Sequence, residues 1–338
     1  MKKNKLLLSG LLFLLIIFVT FYSIFSSNSL EEIITNIKLI KYEYSFICLL
    51  LIALYFLCQG IYMKYTLKSL NQDITLSKGY FYSVVEFFFS GITPSSTGGQ
   101  PAQLYYMNKD GIPVEKSLIT LILNTIFFKL FLVVFGIIIL IFRPEFVFDT
   151  SNVMIIFFFL GFVNDIIVIT GCLLLMYNQA LIKKILSIIY KIVGFFKKEK
   201  VTSLNKRVEE KLKTYKTQVE YINTHKKEVF LGLIITFIQR TLMFSISFVI
   251  YKSFGFSEYT YFDLLLIFLT AQICIEGLPL PGGTGGSEHF ITNLYKTIFG
   301  VSLSSASMIL TRCFSFYIPL LITMCIIMVV SKKCYSNK

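Results

Sequence analysis

Runs of about 20 apolar residues recur along the chain and restrict its fold more than any other feature. They cover residues 6–25, 44–63, 117–142, 153–177, 229–251 and 303–330. A helix of that length crosses the roughly 30 Å hydrocarbon core of a bilayer. The composition agrees, because 55% hydrophobic and 15% charged residues lie outside the range of soluble domains. The sequence therefore predicts an all-α polytopic membrane protein with about six transmembrane helices.

Lysine and arginine collect in alternate connecting segments, and this sets the predicted orientation. Three lysines precede the first apolar run, and further positive charges lie in 64–78, 109–116, 178–228 and 332–338. Because short cytoplasmic loops carry the excess of these residues, both termini are predicted to be cytoplasmic. No small-residue cleavage site ends the first run, so we expect it to be an uncleaved anchor.

Two further apolar segments, 79–113 and 261–300, fit this orientation only if each enters and leaves the membrane on the same face. In the first, residues 80–92 would make only about 20 Å of helix, which is too short to cross. We therefore predict two opposed re-entrant hairpins, the first entering from the cytoplasm and the second from outside. The chain then divides into a membrane half at 1–177, a basic cytoplasmic segment at 178–228 and a second membrane half at 229–338.

The tips of the two predicted hairpins share the pattern P-x-x-T-G-G, first in GITPSSTGGQPAQ and again in LPLPGGTGGSEHF. Paired breaks in the two halves of a chain are typical of a transporter's substrate site between inverted repeats. Two turns that only let helices pack are the alternative. As a site, the tips would contribute Thr93, Pro94, Ser95, Ser96, Thr97, Gly98, Gly99, Gln100 and Gln103, and then Pro281, Gly282, Gly283, Thr284, Gly285, Gly286, Ser287 and Glu288. For Ser287 and Glu288, capping of the following helix is an equally open role.

Charged side chains inside the apolar segments form the second candidate set: Glu86, Lys129, Asp165, Arg240, Glu276 and Arg312. Each costs about 2.5 to 3.5 kcal/mol at the centre of a lipid-facing helix, so they are predicted to face one another or water. A structural network of ion pairs is one interpretation. The other is a cavity in which bases and helix N-termini hold a phosphate while the acids hold an amine. A phospholipid headgroup carries both groups.

Residues 178–228 hold thirteen Lys and Arg against five Glu and show apolar residues at helical spacing. This predicts amphipathic helices bound to anionic lipid of the inner leaflet. Binding of tRNA is disfavoured, because basic loops are the default on the cytoplasmic side. No nucleotide-binding or hydrolase motif occurs, and two histidines with seven cysteines that lack C-x-x-C predict neither a metal site nor a cofactor.

The pair TPSSTGGQPAQ and PLPGGTGGSE resembles the signature of the flippase-like transmembrane region of lysylphosphatidylglycerol synthases, also called multiple peptide resistance factors. The resemblance covers roughly residues 6–330. It implies a protein of a bacterial-type plasma membrane that moves aminoacylated phosphatidylglycerol, such as lysylphosphatidylglycerol, between leaflets. The implied role is resistance to cationic antimicrobial peptides.

Bifunctional members of that family also carry a soluble domain that transfers lysyl from tRNA to phosphatidylglycerol. The present sequence ends seven residues after Ser331, and we expect no such domain in it. A phosphatidylglycerol lysyltransferase, alone or with a separate catalytic subunit, stays the alternative function. Partnership with a second copy of the chain or with a synthase subunit stays open as well.

Overall fold

The computed structural model describes residues 35, 38, 41–93, 95–144, 152–178, 180–181, 183–185, 187–188, 219–220, 224–276, 278 and 286–335. Every regular element within these residues is helical, which confirms the predicted all-α class. The main helices are α1 (Tyr42–Ser69), α2 (Leu76–Gly91), α3 (Gly99–Lys109), α4 (Val114–Phe142), α5 (Asn152–Tyr177), α6 (Lys226–Phe244), α7 (Ile246–Ser253), α8 (Tyr261–Ile275), α9 (Gly286–Arg312) and α10 (Ile318–Tyr335). A π-helical turn, Cys313–Tyr317, joins the last two.

Among the described residues, five helical stretches are long and apolar enough to cross a bilayer: Tyr42–Ser69, Val114–Phe142, Asn152–Tyr177, Lys226–Ser253 and Gly286–Lys332. They contain five of the six predicted spans, so the chain is a multi-pass membrane protein. The remaining predicted span, 6–25, lies outside the described residues, and so does most of the basic segment at 178–228. Binding of that segment to the inner leaflet stays a prediction.

The first predicted hairpin consists of α2 and α3, which pack against each other across a break at residues 92–98. The helices have 16 and 11 residues. At 1.5 Å per residue they are about 24 Å and 16 Å long, so neither spans the hydrocarbon core. Ser95 and Ser96 occupy the left-handed region, with φ of 50° and 54°, and reverse the chain. The membrane face from which this hairpin enters stays a prediction.

The second predicted hairpin begins with α8, whose start is fixed by a capping box between Thr260 and Asp263. Its tip, 279–285, lies outside the described residues. The returning limb is the first part of α9, which breaks at Gly300 with φ of 74° and ψ of 168°. That break separates the limb from the final span, where the sequence placed the end of the hairpin.

Glycines allow neighbouring helices to pack at short distances. A Cβ atom on Gly161 of α5 would lie 1.7 Å from the backbone carbonyl oxygen of Ile273 in α8, and one on Gly79 of α2 would lie 2.5 Å from the carbonyl oxygen of Gly60 in α1. Small residues at such crossings are the usual means by which membrane helices approach closely. The contact at Gly161 holds the end of α8, and with it the second hairpin, against α5.

Candidate functional site

A cavity of about 680 Å³ is lined by residues of both hairpins. The first hairpin contributes the tip residues Ser95, Ser96 and Thr97, and the second contributes Glu276 and Ser287 from the two sides of its break. The helices α1, α4, α5 and α6 and the π-helical turn complete the wall. The tip of the first hairpin and the described residues on both sides of the second break therefore line one common space.

Polar and charged side chains from all of these elements face the cavity. They are Tyr55, Glu86, Ser90, Ser95, Ser96, Thr97, Gln100, Asn124, Thr125, Lys129, Asn164, Arg240, Gln272, Glu276, Ser287, Arg312 and Ser315. Aromatic rings, among them Phe87, Phe128 and Phe316, form much of the remaining wall. Such a surface can bind a ligand that has both charged and apolar parts.

Lys129 joins three helices at one side of the cavity. Its Nζ donates to Asp165 Oδ1 at 2.8 Å and pairs with the Glu276 carboxylate. Gln272 Nε2 donates to Glu276 Oε1 at 2.7 Å, and Asn164 Nδ2 donates to the Glu276 backbone carbonyl at 3.3 Å. Two carboxylates surround one ammonium, so this cluster carries a net charge of −1 when its groups are ionised. It fastens the end of α8 to α4 and α5.

Arg312 is buried and paired with Glu288 in the first turn of α9. Its Nε donates to Glu288 Oε1 at 3.2 Å, and the Tyr317 hydroxyl donates to the same oxygen at 2.8 Å. The guanidinium carbon lies 4.4 Å from the centre of the Phe316 ring. Glu288 thus has a specific partner in addition to its favourable place near a helix N-terminus.

Arg240 differs from the other two cations because it forms no ion pair with any carboxylate among the described residues. Its Nη1 donates to the Tyr55 hydroxyl at 3.1 Å, and its guanidinium carbon lies 3.9 Å from the centre of the Phe128 ring. Glu86 lines the same cavity, and its Oε1 accepts a hydrogen bond from Ser90 Oγ at 3.3 Å. Arg240 and Glu86 interact electrostatically but form no ion pair, so each can still contact a ligand in the cavity.

The first tip is held by its threonine and glycines. Thr93 Oγ1 donates to the Phe89 carbonyl at 2.6 Å and accepts from the Gly98 amide at 2.8 Å. A Cβ on Gly98 would lie 2.5 Å from Thr93 Cγ2, and one on Gly99 would lie 2.1 Å from Ser90 Oγ. Gly98 and Gly99 are needed because the start of α3 crosses the end of α2 at this distance.

Several predicted site residues support the wall without lining it: Thr93, Gly98, Gly99, Gln103, Asp165, Gly286 and Glu288. Gln103 is fully buried, and its Nε2 donates to the Tyr82 carbonyl at 3.0 Å, whereas Gln100 faces the cavity and bonds to Thr125. Pro94 and the residues Pro281, Gly282, Gly283, Thr284 and Gly285 lie outside the described part of the chain.

Sequence reasoning missed three aromatic residues that contact the cavity arginines: Tyr55 and Phe128 beside Arg240, and Tyr317 beside Arg312. The chain has 20 tyrosines and 35 phenylalanines, and nothing in their spacing marks these three. Their role depends on which helix faces which, and periodicity within one helix does not give that information.

Comparison with known proteins agrees with this architecture. Residues 6–323 match the family model described as the lysylphosphatidylglycerol synthase transmembrane region, and this range includes both hairpins and every charged residue of the cavity. The chain is also 24% identical over 270 residues to a protein of Archaeoglobus fulgidus described as a UPF0104 membrane protein, an alignment that covers 74% of this chain and 75% of the relative.

Proposed function

The chain belongs to the lysylphosphatidylglycerol synthase transmembrane-region family, and we propose that it moves a charged phospholipid between membrane leaflets. The lipid we propose is an aminoacylated phosphatidylglycerol such as lysylphosphatidylglycerol. The observation that carries the proposal is a single cavity lined by both hairpins and by charges of both signs. Two broken helices that meet at a polar site are the usual construction of a membrane transporter's substrate site.

The size of the cavity fits a headgroup. Its volume of about 680 Å³ lies within the roughly 300 to 1,000 Å³ of small-molecule pockets. A headgroup fits in that space, and the acyl chains of the same lipid would remain in the bilayer, where they keep their apolar surroundings. Only the polar part of the lipid then needs a protein route across the hydrocarbon.

The charge of the cavity favours a ligand with a cationic group. Counted as ionised, the lining residues and their direct ion-pair partners are three cations and four acids, which gives 3 − 4 = −1: Lys129, Arg240 and Arg312 against Glu86, Asp165, Glu276 and Glu288. A headgroup with one phosphate and two ammonium groups carries +1 and would neutralise this sum. Phosphatidylglycerol without an amino acid carries −1 and would add to it.

Transport of such a lipid to the outer leaflet would lower the negative charge of the cell surface. We infer resistance to cationic antimicrobial peptides as the consequence, because these peptides accumulate on anionic membranes by electrostatic attraction.

The test is translocation by the purified full chain in proteoliposomes that contain lysylphosphatidylglycerol. A membrane-impermeant amine reagent labels only the outer leaflet, so we expect nearly all of the lipid to become labelled with the protein and about half without it. Arg312→Ala and Glu276→Ala should reduce labelling to the level of protein-free vesicles. Lys296→Ala, an exposed lysine on the same helix as Arg312, is the matched control and should leave transport unchanged.

Wild-type translocation by folded Arg312→Ala and Glu276→Ala proteins would refute these residue assignments, and protein-containing vesicles that behave like empty ones would refute the function. The lysyltransferase alternative has its own test. Purified protein is incubated with lysyl-tRNA and phosphatidylglycerol, and formation of lysylphosphatidylglycerol by this chain alone would favour the enzyme.

A further inference from the structure

We propose that Arg240, together with the Tyr55 hydroxyl, is the oxyanion-binding subsite of the cavity and takes a phosphate group. The inference rests on the proposed function in one respect, since the physiological phosphate would be that of the transported lipid. It differs from the sequence-based hypothesis, in which Lys129, Arg240 and Arg312 together bind the anion.

The first argument is the state of the other two cations. The Lys129 ammonium is bonded to Asp165 and Glu276, and Arg312 is bonded to Glu288. A phosphate at either cation would have to displace a carboxylate or approach one closely, and like-charge contacts in a low dielectric are costly. Arg240 is the cavity cation that forms no ion pair among the described residues, although the Glu86 carboxylate is near enough to interact with it electrostatically.

The second argument is the geometry of Arg240 itself. An arginine has five N–H donors, and here one of them meets the Tyr55 hydroxyl at 3.1 Å. The Nε atom is buried and has no hydrogen-bond partner among the described residues. The Phe128 ring lies 3.9 Å from the guanidinium carbon, a cation–π contact that helps to hold the group in place. A pre-oriented guanidinium with free donors is suited to bind two oxygens of a phosphate side by side.

The surroundings of Arg240 complete the subsite. Ser96, Thr97 and Gln100, which precede and begin α3, line the same cavity. The first turn of a helix has N–H groups without intrahelical acceptors and a positive dipole end, and both favour an anion nearby. The Glu86 carboxylate also faces the cavity. It would repel a phosphate and attract an ammonium group, so a headgroup that carries both would bind in one orientation.

Binding of glycerol phosphate to the detergent-purified full chain, measured by isothermal titration calorimetry, tests the subsite. Arg240→Gln should weaken binding about 10- to 100-fold, because a hydrogen-bonded charge is lost. Tyr55→Phe should weaken it about tenfold, through loss of one hydrogen bond to a charged group. Lys227→Gln, an exposed cation at the start of the same helix, should have no effect.

Glu86→Gln gives a result of opposite sign and separates two explanations of Arg240. If Arg240 binds the ligand, removal of the nearby carboxylate should strengthen glycerol phosphate binding several-fold. If Arg240 serves only to balance Glu86, Glu86→Gln should leave binding unchanged and both single variants should lower the melting temperature. The second outcome would overturn the proposal. Arg240→Lys covers the case in which Arg240→Gln does not fold, and it should bind more weakly than wild type because the two-pronged contact is lost.

The two proposals can fail separately. Arg240-dependent binding of glycerol phosphate with no movement of lipid in proteoliposomes would keep the subsite and refute the transport function. Lipid movement by an Arg240→Gln protein that binds glycerol phosphate like wild type would refute the subsite alone. Inorganic phosphate, titrated in parallel, identifies the source of the oxyanion. We expect it to bind more weakly than glycerol phosphate if the site is built for a headgroup.

Discussion

Replacement of Lys129 by methionine tests whether its cluster holds the second hairpin in place. The substitution keeps most of the side-chain volume and removes the only positive charge bonded to Asp165 and Glu276 among the described residues. Asp165 is fully buried, so its carboxylate cannot turn to water. Removal of one partner from a buried ion pair typically costs about 3 to 5 kcal/mol. At roughly 2 to 3 °C per kcal/mol for a chain of this size, the melting temperature should fall by about 6 to 15 °C.

The assay is thermal unfolding of the detergent-solubilised protein, followed by the loss of its monodisperse gel-filtration peak. Lys116→Met, on the same helix at an exposed hydrogen bond to the Asn71 carbonyl, is the matched control and should change the melting temperature by no more than about 2 °C. The double variant Lys129→Met with Asp165→Asn should be more stable than Lys129→Met alone, because one of the unpaired charges is then absent. A Lys129→Met protein as stable as wild type would refute the reasoning.

Two further predictions concern glycines and use the same unfolding assay. Gly161→Ala should prevent folding or lower the melting temperature strongly, because the added Cβ would lie 1.7 Å from the Ile273 carbonyl oxygen. Gly171→Ala on the same helix is the control and should be neutral or stabilising, because a Cβ there would have nothing within 4 Å. Equal effects of the two substitutions would contradict the packing. Gly300→Ala should lower the free energy of unfolding by about 1 to 3 kcal/mol, because φ of 74° with ψ of 168° is a region that glycine alone occupies readily. An unchanged melting temperature would show that the helix does not break there.

The sequence predicted those features of the fold that depend on chain length and local composition. A run such as 117–142 is apolar over enough residues to be a span, and the structure has Val114–Phe142 there. The break at 92–98 was predicted because α2 is too short to cross and is followed by proline and glycine. Both inferences need only the residues of one segment and the thickness of the bilayer.

The pairing within the cavity could not be predicted in the same way. Lys129 meets Asp165 and Glu276, which are 36 and 147 residues away. Those contacts depend on the rotation and depth of three helices, which glycine contacts such as that of Gly161 determine. Gln103 is a residue that the sequence predicted for the site but that does not line the cavity. It belongs to the tip motif by sequence, but the helical turn after Gln100 directs it to the Tyr82 carbonyl and away from the cavity.

The two hairpins are attached to the rest of the protein by bonds of different strength. The second hairpin has an ion-pair cluster on each limb, at Glu276 and at Glu288. The ion pair of the first, Lys78 with Asp110, joins its own two limbs, and its tip is bonded to α4 through the neutral side chains of Gln100 and Thr125. If the proposed transport exposes a headgroup first to one leaflet and then to the other, we expect the first hairpin to be the one that moves. The second hairpin would keep its position relative to the surrounding helices.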